Sequence, residues 1–182
     1  MSRQIACVSM GYMEIALLPK SAVRIKGKNA TFVVNPQSSM SANAVLLLDP
    51  NAELMTDEAV VLQGAGEYEI GGVKITGLRN NTNVLYSLLL DGMEIVVGSI
   101  GLLSAQQHKL KEHNIVVVNC DEVVDASFLT SLGINGVLFF GDKAQVVAEG
   151  FEKEKLQKTN KYSASLGKLP AEMETVLLAS GV

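Results

Sequence analysis

Two glycine-bearing turns, each bracketed by alternating apolar and polar residues, limit this chain more than anything else in it. The stretch Ala59–Leu78 reads AVVLQGAGEYEIGGVKITGL, with Tyr68 and Ile70 before Gly71-Gly72 and Val73 and Ile75 after it. A glycine pair so flanked is a hairpin signal, because the favoured two-residue turns need positive φ at their central residues. Val60, Val61 and Leu62 precede it as a short run expected to be a buried strand. A second hairpin follows, VLYSLLL and MEIVVG around Asp91-Gly92. Such a sheet buries one face and must find another layer to cover it.

The strand rhythm extends upstream. YMEIALL, AVRIKG and ATFVVN read as a meander, the last two joined tightly through Lys26-Gly27-Lys28-Asn29; Pro36–Ser41 is a loop, and Ala44–Leu48 is apolar throughout, as a strand covered on both faces is. The first hundred residues therefore read as mostly antiparallel sheet. Beyond them the rhythm changes to alternating helix and strand. Ser104 with Gln107 reads as a capping box opening a helix that runs to about His113. Ile115–Val118 reads as a buried strand, Glu122–Leu132 as a helix closed by Gly133, and Val137–Phe140 as another buried strand. Lys143–Glu149 reads as helix and Thr175–Ala179 as a last strand, while residues 152–168 carry no clear pattern. The expected architecture is a layered mixed α/β domain spanning residues 1–182, with 1–11 either a flexible lead or a strand-adding segment.

At 182 residues the chain can bury a large core without disulfides or a structural metal. Hydrophobic residues are 48% of it and mean hydropathy is +0.26, enough to suggest apolar surface that meets a partner. Fifteen basic residues against nineteen acidic ones, with no basic cluster, argue against nucleic acid. Lys153, Lys155, Lys158 and Lys161 interleave with Glu152 and Glu154, as on a solvated face. Cys7 and Cys120 lie far apart without a CxxC and read as buried or inert thiols of a reducing compartment. No signal-peptide core and no apolar run of membrane-spanning length is present, so the expected setting is cytoplasmic.

The order MEIALLPKSAVRIKGKNATFVVNP, ANAVLLLDP, VVLQGAGEYEIGGVKITGL, NVLYSLLLDGMEIVVGSIGLLSAQQ and LPAEMETVLLAS resembles the small metallo-β-lactamase-fold hydrolases of the ascorbate-phosphate-lactonase-like branch. The resemblance runs from Met13 to Ser180, and GAGEYEIGGVKITG is its most specific part. It implies an αββα sandwich, two mixed sheets face to face with helices outside. Active members carry HxHxDH after the strand matching Val45–Leu48, imidazoles and a carboxylate that hold one or two metal ions and activate water. Here that run falls on LDPNAE, with Leu48, Pro50, Ala52 and Glu53 at the ligand positions. The bridging Asp of a GD pair corresponds to Ser99 of Gly98-Ser99, and the last His to Gly141 or a neighbour. The resemblance thus implies a degenerate member with no metal and no cofactor.

His108 and His113, five apart on the expected helix, fall on different faces, unlike an i, i+4 zinc pair; both read as surface or helix-end residues, His113 favoured by the helix dipole. Gly64-Ala65-Gly66 lacks the helix that a dinucleotide fingerprint opens. Alternation sends Glu67 and Glu69 to one face and Tyr68 to the other: either a solvated strand face, or Glu67 as a polar group in the old cleft. Asp49, Asp121 and Asp142 join Glu53 at strand ends, as turn and cap residues or as cleft-lining carboxylates able to hold Mg²⁺. No GxSxG, Ser/His/Asp set or Cys/His pair can be assembled. The functional expectation is a catalytically inactive scaffold or protein-interaction module, binding a protein partner or further copies of itself and neither nucleic acid nor membrane. The alternatives are a small-molecule sensor using the emptied cleft and a hydrolase with a rebuilt carboxylate site.

Overall fold

The computed structural model describes residues 11–54 and 59–181. Its strands are β1 (Tyr12–Leu18), β2 (Ala22–Lys26), β3 (Thr31–Val34), β4 (Ala44–Leu46), β5 (Val60–Leu62), β6 (Gly66–Ile70), β7 (Val73–Arg79), β8 (Val84–Leu90), β9 (Met93–Ser99), β10 (Ile115–Asn119), β11 (Gly136–Phe140), β12 (Gln157–Thr159), β13 (Lys161–Ser165) and β14 (Glu174–Leu178); its α-helices are α1 (Ile100–Ala105) and α2 (Ala144–Phe151). They form two mixed sheets, one ordered β13-β1-β2-β3-β4-β5 and the other β12-β14-β11-β10-β9-β8-β7-β6. The sheets face each other, and both helices lie outside, against the larger one.

Both expected hairpins form. Gly71 and Gly72 have φ of 60° and 76°, and Ile70 pairs with Val73 across them. Asp91 and Gly92, at 51° and 83°, close the pairing of Leu90 with Met93. Alternation then sorts the strands. Val73 and Ile75, Val84, Tyr86 and Leu88, and Met93, Ile95 and Val97 point between the sheets, meeting Met13, Ile15, Phe32, Leu46 and Leu48 from the other layer in one apolar core. Removing each such large side chain from water contributes about 1.5–3 kcal/mol. The intervening residues Leu85 and Val96 face outward and, with Val116, Val118 and Phe139, form a second cluster under α1 and α2. This double coverage explains the unbroken VVV of β10, all buried.

Several expectations are corrected. Val60–Leu62 is not a uniformly buried run: β5 is an edge strand, Val60 is 53% exposed and only Leu62 is buried. It also belongs to the six-stranded sheet, so the chain passes from one layer to the other between Leu62 and Gly66, before the β6–β7 hairpin. The first half is less antiparallel than expected, since β3–β4 and β4–β5 pair in parallel. The helix expected to open at Ser104 instead begins directly at the end of β9, and Ser104 lies in its last turn, followed by a 3-10 turn at Gln107–Lys109. Burying Ile100, Leu102 and Leu103 against the sheet sets that start. The helix expected over Glu122–Leu132 is only a 3-10 turn, Ser127–Ser131, because Asp125 takes both the N–H and the hydroxyl of Ser127 at 2.9 and 3.1 Å. Gly133 ends it with φ of 68°, as expected of a stop glycine.

The unpatterned stretch 152–168 joins the two layers. β12 pairs with β14 in one sheet and β13 with β1 in the other, with only Asn160 between them. At this corner the Thr159 carbonyl accepts from the N–H of Ala179, and the next carbonyl, of Asn160, accepts from Leu17, both at 2.9 Å. The lysines here are paired with acids on the surface, Lys158 with Glu149 at 3.3 Å and Lys161 with Glu14 at 3.3 Å. Arg24 also reaches Glu14, at 3.0 Å, and hydrogen bonds from both cations hold the Glu14 carboxyl below its ordinary value against the opposing effect of burial. The expected lead segment 1–11 lies outside the described residues except for Gly11, whose Cα approaches the backbone of Asp91 so closely that a Cβ would stand 2.4 Å from its carbonyl oxygen.

Candidate functional site

Four parts of the chain that end or begin strands meet at one rim of the sandwich. Asn35 follows β3, Leu48, Asp49 and Asn51 follow β4, Thr82 and Asn83 precede β8, Asn119 ends β10 and Asp121 lies just past it. Together they line a recess of about 440 Å³. Asn35, held at φ of 48°, accepts the N–H of Leu48 through its Oδ1 at 2.9 Å. The Leu48 carbonyl in turn accepts from the N–H of Val84 at 2.8 Å, tying the end of β4 to the start of β8 across the two layers. Tyr86, fully buried, donates its hydroxyl to the Leu47 carbonyl at 3.3 Å, and burial raises its ionisation far above the ordinary range.

The expected ligand positions do not suit a metal ion. Leu48 is 1% exposed and belongs to the inter-sheet core. Pro50 and Ala52 offer no side-chain donor atom, and Ala52 uses its carbonyl to accept from the Gln63 amide. Glu53 is exposed and lines a neighbouring recess of about 290 Å³ with Asp49 and Pro36. Gly141 has φ of 100°, and a Cβ there would stand 2.6 Å from Asn119 Oδ1 and 3.2 Å from the backbone N and O of Cys120, so no side chain fits without displacing the rim. Ser99 is 1% exposed and its hydroxyl has no hydrogen-bond partner; although it holds the N-cap position of α1 it makes no capping bond. Among the described residues no three His, Cys, Asp or Glu side chains gather so that they could hold a metal ion. The residues present therefore do not fit the metal that the sequence resemblance would imply at this rim.

The four carboxylates do not converge. Asp49 shares one recess with Asp121 and another with Glu53, but Glu53 and Asp121 share none, and exposed Asp142 lines neither. Asp49 has a structural task, accepting the N–H of Asn51 at 2.8 Å in an Asx turn. Glu67 lies elsewhere, on a recess of about 480 Å³ over β6 and β7 that it lines with Glu69, Lys74 and Thr76. Tyr68, half-buried on the other face, donates to the carbonyl of Ala65 at 3.2 Å.

The histidines lie away from the rim. His108 is exposed on the 3-10 turn. His113 packs on the outer face of the larger sheet, where its Nδ1–H donates to the Leu110 carbonyl at 3.3 Å, leaving Nε2 to accept the Ser87 hydroxyl at 2.8 Å. Burial lowers its proton affinity, the reverse of the dipole effect expected for a helix end, because no long helix ends there. Cys120 is buried with its thiol pushed up to about 12 by burial and by Asp121; Cys7 lies outside the described residues. Sequence reasoning missed the polar lining itself: Asn35 counted only as the end of the strand run ATFVVN, and Asn83 and Asn119 were not singled out. Their shared position after or before strands was the available signal.

Among solved structures the chain is similar to a candidate Zn-dependent hydrolase of the metallo-β-lactamase superfamily from Thermotoga maritima, with a TM-score of 0.63 and 15% identity over 91% of this chain and 97% of that one. It is also similar to a metallo hydrolase from the hyperthermophilic archaeon Ignicoccus hospitalis, with a TM-score of 0.50 and 7% identity over 70% of this chain and 81% of that one. At such identities the likeness establishes the fold, the αββα sandwich of the metallo-β-lactamase type. No family model and no curated protein matches the sequence. No helix among the described residues is long and apolar enough to cross a membrane.

Proposed function

We propose that this protein is a non-catalytic member of the metallo-β-lactamase fold, of the small lactonase-like branch, that works by binding rather than by hydrolysis. Its principal role is that of an interaction module, engaging a protein partner or further copies of itself. The observation that carries this reading is the chemistry of the ligand positions: a core leucine, a proline, an alanine and a sterically closed glycine stand where ion-gripping side chains would be needed. Apolar surface supports a binding role. Val123 and Val146, 63% and 60% exposed, flank a shallow groove of about 330 Å³ between the segment after β10 and α2. Elemental analysis of pure protein should find no stoichiometric zinc, iron or manganese, and light scattering should give a mass above that of one chain alone or with its partner. Stoichiometric metal would overturn the inactive reading, and a strictly monomeric, partnerless protein would overturn the interaction role.

A second reading is favoured by the asparagine-lined recess, whose volume falls within the range of small-molecule sites. In that reading the cleft binds a small molecule and the protein is a sensor. The rebuilt carboxylate enzyme is not carried forward, because its four acids are spread over separate recesses and open surface.

A further inference from the structure

Asn119, which lines the rim recess, is paired in register with Ser99 at the ends of two parallel strands; Ser99 itself does not line the recess. Ser99 continues the inward-facing series Met93, Ile95, Val97 of β9, and Asn119 continues Ile115 and Val117 of β10. The Ser99 hydroxyl is buried and without a partner. The half-buried Asn119 amide likewise makes no hydrogen bond to any described residue. Gly141, by lacking a side chain, leaves the Asn119 amide its room.

The chemistry of the walls selects the occupant. The asparagine amides supply donors and acceptors and Asp49 and Asp121 supply acceptors only, while the one lining hydroxyl, of Thr82, is already engaged, donating to Asn80 Oδ1 at 3.3 Å and accepting from the Asn83 amide at 3.1 Å. No lysine or arginine lines the recess. An anionic ligand would meet two carboxylates and no counter-charge, and a bare ammonium would leave the amide N–H groups unanswered. Hydroxyl groups answer both, donating to the carboxylates and accepting from the amides. We propose that the rim recess binds a small polyhydroxylated molecule bearing no negative charge, anchored on Asn119. This rests on the second reading above and specifies its ligand class.

The test follows the side-chain amide resonances of Asn119 and Asn83 in full-length ¹⁵N-labelled protein during titration with glucose, glucosamine or glucose phosphate. Saturable shifts centred on Asn119 are expected with glucose and glucosamine and none with the phosphate. Asn119→Ala should weaken binding about tenfold, the equivalent of one ordinary hydrogen bond. If that variant does not fold, Asp121→Ala, at an exposed position, should weaken glucosamine more than glucose. Equal shifts from all three sugars, or shifts from the phosphate alone, overturn the ligand class and leave the cleft reading standing. Shifts centred away from Asn119 overturn the site, and silence from all three overturns both.

Discussion

Replacing Gly141 with alanine would measure how firmly the rim is closed against side chains. The backbone there has φ of 100°, outside even the left-handed helical basin, and the added methyl would stand 2.6 Å from Asn119 Oδ1 and 3.2 Å from Cys120 N and O. Holding a non-glycine residue in such a region costs about 1–3 kcal/mol. The Asn119 amide can rotate away, but the Cys120 backbone is fixed: its N–H donates to Phe140 at 2.8 Å and its carbonyl accepts from Lys143 at 2.9 Å. Overpacking against a fixed wall costs at least about 1 kcal/mol more. Gly141→Ala should therefore lose about 3 kcal/mol, which for a chain of this length lowers Tm by about 6–12 °C. Thermal unfolding followed by circular dichroism reads this directly, with urea titration as a check that the slope is unchanged. The double variant Asn119→Ala/Gly141→Ala separates the causes: it should recover little of the loss, because the amide can rotate away whereas the backbone strain and the Cys120 wall remain. A single variant melting within about 2 °C of the parent would refute the claim that sterics and backbone exclude a ligand side chain at this position.

Leu48→Ala should cost about 3 kcal/mol in urea denaturation, because it empties a fully buried site in the inter-sheet core; a loss under about 1 kcal/mol would mean that this segment is not packed as described. His113 is held neutral, so its contribution to stability is present above its ordinary value of 6.5 and is lost as pH falls through that value toward its depressed one; the excess acid sensitivity should vanish in His113→Gln. If the parent and the variant lose stability in parallel on the acid side, burial of the ring is not what lowers its proton affinity. In a Cys7→Ser background the Cys120 thiol should react with a disulfide reagent only as fast as the protein unfolds, since burial both hides it and pushes its ionisation up to about 12; prompt reaction under native conditions would contradict its burial.

What could be read from the amino acids depended on whether the signal was local. The turns at Gly71-Gly72 and Asp91-Gly92 were legible because positive φ is a demand that few residues meet. That Leu48, Pro50 and Ala52 are not metal-ligating residue types is plain from their identities, but what marks these positions out is the resemblance to a family and no pattern in the chain itself. Strand direction was not: β4 is apolar throughout whether its neighbours run parallel or antiparallel. The start of α1 was hidden because β9 runs into it without a polar break, so Ser104 and Gln107 drew attention to what is really the helix end. The rim lining was illegible for a different reason. Its asparagines come from segments dozens of residues apart, each with a local turn or strand-end explanation, and only the packing of two sheets brings them to one recess.

The corner at Asn160 ties the fates of the two layers together. Consecutive carbonyls there belong to opposite sheets, so neither sheet can slide or peel from the other without first tearing a strand from its own ladder. Amide exchange at Leu17 and at Ala179 should consequently report one shared opening event, and the sandwich should behave toward force or denaturant as a riveted plate rather than as two stacked cards.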